Sequence, residues 1–180
     1  MQIAVIRHLP TEWNQKGVLQ GSRNIPILPL TSENQYEIDQ NRKKLSQVEP
    51  ADIVLTSSLI RTQETAENYG YTSFKIEPLL DELNFGEYEG VPKSTLLNDY
   101  PVLWTEEPKK LTLGESLIDF EKRVLRFIEV YNDYSNVIVF GHGSWIRALI
   151  SIKTVGSINS MNKVKVKNND LILLDFPPLR

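Results

Sequence analysis

Three short runs of this sequence are apolar at every position: Ala4-Val5-Ile6, Ile53-Val54-Leu55 and Val137-Ile138-Val139-Phe140. A strand exposed on one face alternates between apolar and polar residues. A run with no alternation belongs to a strand covered on both faces. Strands are expected at residues 3–7, 53–56, 74–76, 137–140 and 171–176. Helical patterns fall between them, at 32–48, 58–69, 115–131 and 144–152. The first of these helices opens with Ser32 and Gln35 at capping-box spacing, and the second stops at Gly70. The third places Leu117, Phe120, Val124, Phe127, Ile128 and Tyr131 on one stripe. Strands alternating with helices predict an α/β fold, a three-layer α/β/α sandwich with a mostly parallel central sheet.

The 180 residues contain no internal repeat or linker and are expected to form a single domain, 1–180. Residues 89–113, with Pro92, Pro101, Pro108 and Trp104, read as an excursion over one end of the sheet. Such an excursion either shapes a substrate pocket or is a plain surface connection.

Composition narrows the function classes. A formal net charge of -3 disfavours a nucleic-acid surface or a polybasic membrane patch. The densest basic stretch, Lys163-Val164-Lys165-Val166-Lys167, alternates with valine and is expected to be the solvated face of a strand. No run approaches the length of a membrane span, and the N-terminus reads as a strand rather than a signal peptide. The absence of cysteine removes disulfides, thiol redox chemistry and Cys-zinc sites. A cytoplasmic location is the default expectation, and a homo-oligomer stays open.

The chain has two histidines, and both occur in the same setting. His8 directly follows the first apolar strand, and His142 stands one residue past Phe140-Gly141. Ligands of parallel sheets bind beyond the carboxyl ends of the strands, so the pair points to one site. No HExxH or similar metal-ligand spacing accompanies them. A third strand leads through Ser57-Ser58-Leu59-Ile60 to Arg61, in the first turn of a helix. A cation there opposes the helix dipole unless an anion is shared between them. Arg7 lies at a buried strand end, where a charge is costly without a partner. Two guanidinium forks converging on one point suit a phosphate; structural carboxylates are the alternative partners.

The run Arg7-His8-Leu9-Pro10-Thr11-Glu12-Trp13-Asn14 resembles the signature of the histidine phosphatase (phosphoglycerate mutase-like) superfamily. The resemblance continues, in order, through Gln20-Gly21 and through Leu55-Thr56-Ser57-Ser58-Leu59-Ile60-Arg61-Thr62. It then runs through Leu80-Asp81-Glu82-Leu83-Asn84-Phe85-Gly86-Glu87-Tyr88-Glu89-Gly90, Gly114-Glu115-Ser116 and Phe140-Gly141-His142-Gly143-Ser144-Trp145-Ile146-Arg147. Leu9 departs from it, because glycine usually follows the histidine. Its bulk is expected to narrow the pocket or lower activity.

The resemblance implies metal-independent phosphomonoester hydrolysis with no cofactor, acting on a small phosphorylated metabolite. His8 would form a phosphohistidine, with Arg7, Arg61 and His142 around the phosphoryl group, His142 serving best when protonated. Glu82 matches the acid position; among Asp81, Glu82, Glu87 and Glu89 only the family motif makes that choice. Asn14, Thr11, Gly21 and Gly143 are expected at the substrate. Trp13, Tyr88 and Trp104 fit a pocket or a core equally. Lys93, Lys109 and Lys110 suit a second anionic group or plain solvated surface. Two other readings stand beside phosphatase: phosphoglycerate mutase-type transfer, and a non-catalytic phospholigand-binding protein. The short chain and the Glu82 motif favour the phosphatase branch, which includes acid phosphatases and α-ribazole phosphatase-like enzymes.

Overall fold

The computed structural model describes residues 1–178. In chain order it runs β1 (Gln2–Arg7), α1 (Glu12–Gln15), α2 (Ser32–Leu45), β2 (Ile53–Thr56), α3 (Ile60–Asn68) and β3 (Lys75–Ile76). There follow α4 (Lys93–Asp99), α5 (Leu103–Glu106), α6 (Leu117–Tyr131), β4 (Asn136–Gly141), α7 (Gly143–Val155) and β5 (Leu171–Asp175). The sheet order is β3-β2-β4-β1-β5. The pairs β3-β2, β2-β4 and β4-β1 are parallel, and β5 lies antiparallel on β1.

The apolar runs are covered on both faces, as their lack of alternation requires. Successive side chains of a strand point to opposite faces. Ile3, Val5, Val137 and Val139 therefore join one core cluster, and Ala4, Ile6, Ile138 and Phe140 join the other. The first cluster takes Phe120, Val124 and Phe127 of α6 with Trp145 and Leu149 of α7. The second takes Ile38 and Leu45 of α2 and Ala66 of α3. These are the two outer layers of the sandwich. The expected stripe of α6 is buried at every position, and each of its large side chains contributes about 1.5–3 kcal/mol by leaving water.

Two local expectations are corrected. The cap of α2 is Thr31, boxed with Asn34, rather than Ser32 with Gln35. Thr31 has the extended backbone of an N-cap, φ -91 and ψ 163, and its Oγ1 accepts from Asn34 N–H at 3.1 Å, whereas Ser32 is already the first residue of the helix. The stretch 163–167 is no strand. Its backbone is extended at Val164, but no strand of the described residues pairs with it, and Arg7 Nη1 takes the Val166 carbonyl at 2.6 Å. Residues 89–113 fold into α4, α5 and a 3-10 turn, and anchor on the first core cluster through Leu96, Trp104 and Leu111. Among the described residues, no helix is long and apolar enough to cross a membrane.

Candidate active site

The register of β1 on β4 pairs Arg7 with Gly141. His8 N–H extends the ladder to the Gly141 carbonyl at 3.0 Å. The next residues of the two strands, His8 and His142, therefore stand side by side, with ring centroids 5.5 Å apart. β2 lies on the other flank of β4 and leads through Ser57 into α3, which carries Arg61 in its first turn.

His8 is 2% exposed. Its Nδ1 lies 2.7 Å from the carbonyl oxygen of Leu9. A carbonyl can only accept, so Nδ1 carries the proton and Nε2 keeps the lone pair in the neutral ring. Burial, then the charges of Arg61 and Arg7, hold the His8 pKa well below its usual 6.5. The ring is therefore neutral and ready as a nucleophile near neutral pH.

Leu9 does not crowd this nitrogen. In an extended chain the neighbour of His8 points to the opposite side. The Leu9 side chain is buried in the second core cluster, does not line the cavity, and its N–H donates to Thr65 Oγ1 at 2.9 Å. No positive φ is needed there. The expected narrowing of the pocket is thus absent.

Arg7 and Arg61 are both held by carbonyls through their terminal nitrogens. Arg7 Nη1 reaches Val166. Arg61 Nη1 and Nη2 reach Arg23 at 2.6 Å and Gly21 at 2.8 Å. In each the Nε–H is buried with no partner among the described residues, and so is Nδ1 of His142. Burial pulls the Arg61 pKa down to about 10, an effect offset in part by Glu82 and reinforced by Arg7. Buried donors without acceptors are uncommon and call for an explanation. An anion with several oxygens at this place would supply one.

A cavity of about 250 Å³ opens over His8, with Arg7, Arg61, Asn14, Gly21 and Gly143 in its wall. Among the described residues, Glu82 is the one carboxylate lining it. Asp81 accepts from Ser58 N–H at 2.8 Å, and Glu89 binds Ser22 and Arg23. Geometry thus separates Glu82 from its neighbours independently of any motif. Glu82 Oε1 accepts from Leu83 N at 2.9 Å and Trp145 N at 3.1 Å, and Oε2 from Ser144 N at 2.9 Å. A carboxylate offers about two sites per oxygen, so Oε1 is full and Oε2 keeps one free. The same carboxylate caps the N-terminus of α7, where a negative charge is favoured.

Asn14 Oδ1 accepts from Thr11 N and Oγ1, both at 3.0 Å, and from Asn168 Nδ2 at 3.1 Å. A backbone N–H cannot be reversed, so the amide orientation is fixed and Nδ2 remains a free donor. Thr11 is not in the cavity wall; its hydroxyl caps α1 and contacts Gln20 at 2.7 Å. Gly21, at φ 52, acts through the carbonyl that holds Arg61. A Cβ on Gly143 would meet Arg7 Cζ and Arg147 Nη1, each at 3.2 Å, so glycine lets both guanidinium groups close over the helix end. His142 is fully buried behind the cavity, with Nε2 2.7 Å from Ser57 Oγ. Burial, then Arg61 and His8, lower its pKa well below 6.5. The free protein therefore carries it neutral, not protonated.

Trp104 lines the cavity, whereas Trp13 and Tyr88 do not. Lys93 also lines it; Lys109 and Lys110 are paired with Glu121 and Glu107. The sequence assigns no role to Ser57, Arg147 or Asn168. Arg147 follows Gly143 by one helical turn, so periodicity places it on the same face. Asn168 is remote in sequence and carries no such signal.

Residues 3–178 match the model of the histidine phosphatase superfamily (branch 1). Phosphoserine phosphatase 1 of Hydrogenobacter thermophilus is 30% identical over 83% of this chain and 74% of its own. A 2,3-bisphosphoglycerate-dependent phosphoglycerate mutase of Parvibaculum lavamentivorans is 27% identical over 82% of this chain and 77% of its own. The crystal structure of the alpha-ribazole phosphatase from Shigella flexneri superposes with a TM-score of 0.76 at 26% identity, covering 98% of this chain and 91% of that one. With a match across nearly the whole sequence, the chain belongs to the histidine phosphatase superfamily, branch 1, and is a histidine-type enzyme of phosphoryl hydrolysis or transfer.

Proposed function

We propose that the protein hydrolyses a small phosphorylated metabolite, a phosphomonoester, without a metal ion and through a phosphohistidine on His8. The observation that carries this reading is the His8 tautomer. Nδ1–H is committed to the Leu9 carbonyl, which leaves the Nε2 lone pair in a cavity also lined by Arg7 and Arg61, whose buried Nε–H groups have no partner among the described residues.

In the first step Nε2 forms a bond to phosphorus as the ester P–O bond breaks. The proton that the substrate brings as a phosphate monoanion passes through the free site on Glu82 Oε2 to the leaving oxygen, which departs as an alcohol. In the second step water attacks phosphorus, Glu82 takes its proton, the P–N bond breaks, and inorganic phosphate leaves. Arg7, Arg61, Asn14 and His142 stabilise the charge on the equatorial oxygens. A neutral His142 has one N–H. It donates from Nδ1 to the phosphoryl group only when Ser57 donates to Nε2, so Ser57 sets the tautomer. Residues 89–113 shape the substrate pocket: Lys93 and Trp104 stand in its wall.

The test is turnover of an aryl phosphate in excess EDTA, beside His8→Ala. Wild-type turnover that survives EDTA, acid-quenched protein carrying labelled phosphate, and loss of both in the variant are expected. Turnover retained by His8→Ala refutes the mechanism. Phosphate handed to an added alcohol acid in preference to water would instead favour a mutase.

A further inference from the structure

A second cavity, of about 530 Å³, shares Arg7, Lys93, Trp104, Arg147 and Asn168 with the first. Its remaining cations are Lys165 and Lys167, from the stretch 163–167. Among the described residues, no Asp or Glu lines it. Lys163 of the same stretch is paired with Glu106 at 2.7 Å. By contrast Lys93, Arg147, Lys165 and Lys167 make no ion pair with a described carboxylate. Arg147 Nη2 has only neutral partners, Ser144 Oγ and Asn162 Oδ1, both at 3.3 Å.

Like charges gathered around one hollow repel each other, and a solvated surface would spread them apart or intersperse carboxylates. Arg147 is pulled down to about 10 by burial and by Arg7, against an opposing pull from Glu82. Lys93 is lowered by desolvation, then by Arg147 and Arg7. Leu97, Val164 and Val166 add apolar wall between the cations. A ligand here carries negative charge at its far end and carbon in its middle.

We propose that the second cavity is a subsite for a second phosphate group on the substrate, with Lys165, Lys167 and Arg147 determining specificity. The enzyme's preferred substrates are then phosphomonoesters with a further phosphate on a short carbon spacer. One end meets His8 and the other meets the 163–167 loop. This rests on the reading of the His8 cavity as the phosphoryl site.

The experiment compares kcat/KM for ethane-, butane- and hexanediol bisphosphates with that for the corresponding hydroxyalkyl monophosphates, at low ionic strength. Wild type and the double variant Lys165→Ala/Lys167→Ala are measured together. The best bisphosphate is expected to exceed its monophosphate by about tenfold or more, as charge-assisted hydrogen bonds allow, and the ratio to collapse in the double variant. No preference at any spacer length overturns the proposal, and so does an equal fall on both substrates. If wild type turns over neither, the proposed catalysis fails separately. Calorimetric binding of the same pairs to His8→Ala, with and without the two lysine changes, then decides the subsite: a lysine-dependent bisphosphate preference upholds it, and its absence refutes it.

Discussion

The substitution Glu82→Gln separates two tasks that one side chain performs. The carboxylate accepts from three N–H groups, those of Leu83, Ser144 and Trp145. In the variant the amide oxygen can keep the two donors now on Oε1, but the new NH₂ then faces Ser144 N–H and one bond is lost. The two survivors are no longer charge-assisted, and the cap of α7 loses its charge. One charge-assisted bond is worth about 1.5–3 kcal/mol, and the dipole contributes a few tenths to one more, so the cost is about 2–4 kcal/mol. For a chain of this size the melting midpoint should fall by about 4–16 °C. The catalytic effect depends on the leaving group. For an alkyl phosphate, kcat/KM should fall about 10²–10⁴-fold, the usual worth of a general acid. For p-nitrophenyl phosphate, whose phenolate leaves without a proton, the fall should stay within about tenfold. kcat/KM is the right quantity because it ends at the first irreversible step, before the water-dependent one. Equal losses on both substrates, with the drop in melting midpoint, would show that Glu82 only positions α7, and the acid role would be refuted.

Leu9→Gly should lower stability by about 2–5 kcal/mol, as emptying a buried leucine site does, and should not raise kcat/KM; higher activity in melts and assays run together would refute the core placement of Leu9. Ser57→Ala should cut kcat/KM about tenfold near neutral pH, a modest share of an oxyanion donor's worth. The deficit should shrink in acid, where a protonated His142 donates from Nδ1 whatever Nε2 does. A pH-independent deficit would show that Ser57 serves packing alone. The pH dependence of stability follows from both histidines having depressed pKa values. Their contribution is full above 6.5, the unfolded value, and is lost as pH falls toward the folded values, because the unfolded chain binds protons that the folded one does not. Thermal midpoints should therefore drop between about pH 7.5 and pH 5.5, a range in which most carboxylates stay ionised; a flat profile would contradict the buried, neutral histidines.

The fold was legible where one periodicity had one solution. The unbroken apolar runs are short and mostly Val and Ile, which selects interior strands over buried helix, and the stripe of α6 faces a core. Legibility failed where local rules allowed two answers. Thr31 and Ser32 are adjacent hydroxyl residues that can each cap, with Asn34 and Gln35 three positions on, and the alternation at 163–167 suits a strand that has no partner among the described residues. The expectation that Leu9 narrows the pocket fails for a different reason. Adjacency in sequence to His8 suggested adjacency in space, whereas an extended backbone sends neighbours to opposite sides. The motif singles out Glu82 and the structure places it in the cavity wall, but two of the three donors that hold its carboxylate come from α7, far along the chain.

Sheet topology explains why these distant pieces meet. β4 lies between β1 and β2, so the residues after all three strands emerge at one end of the sheet. That end holds His8, His142 and the Ser57–Arg61 turn. β3 runs parallel to β2, and the chain beyond it carries Glu82 to the same end. β5 runs antiparallel to β1, so the end it shares with these carboxyl termini is its own beginning. Asn168 and Lys167 precede Leu171 and arrive there for that reason alone. Asn169 N–H bonds to the Arg7 carbonyl at 2.9 Å, and Asn168 Nδ2 bonds to the His8 carbonyl at 3.1 Å. A parallel β5 would have delivered Asp175 and Phe176 instead, a carboxylate and a ring where the structure places an amide and lysines. The direction of one edge strand, which no local pattern encodes, thus decides both the sign of the charge beside the phosphoryl pocket and the existence of the second, basic cavity.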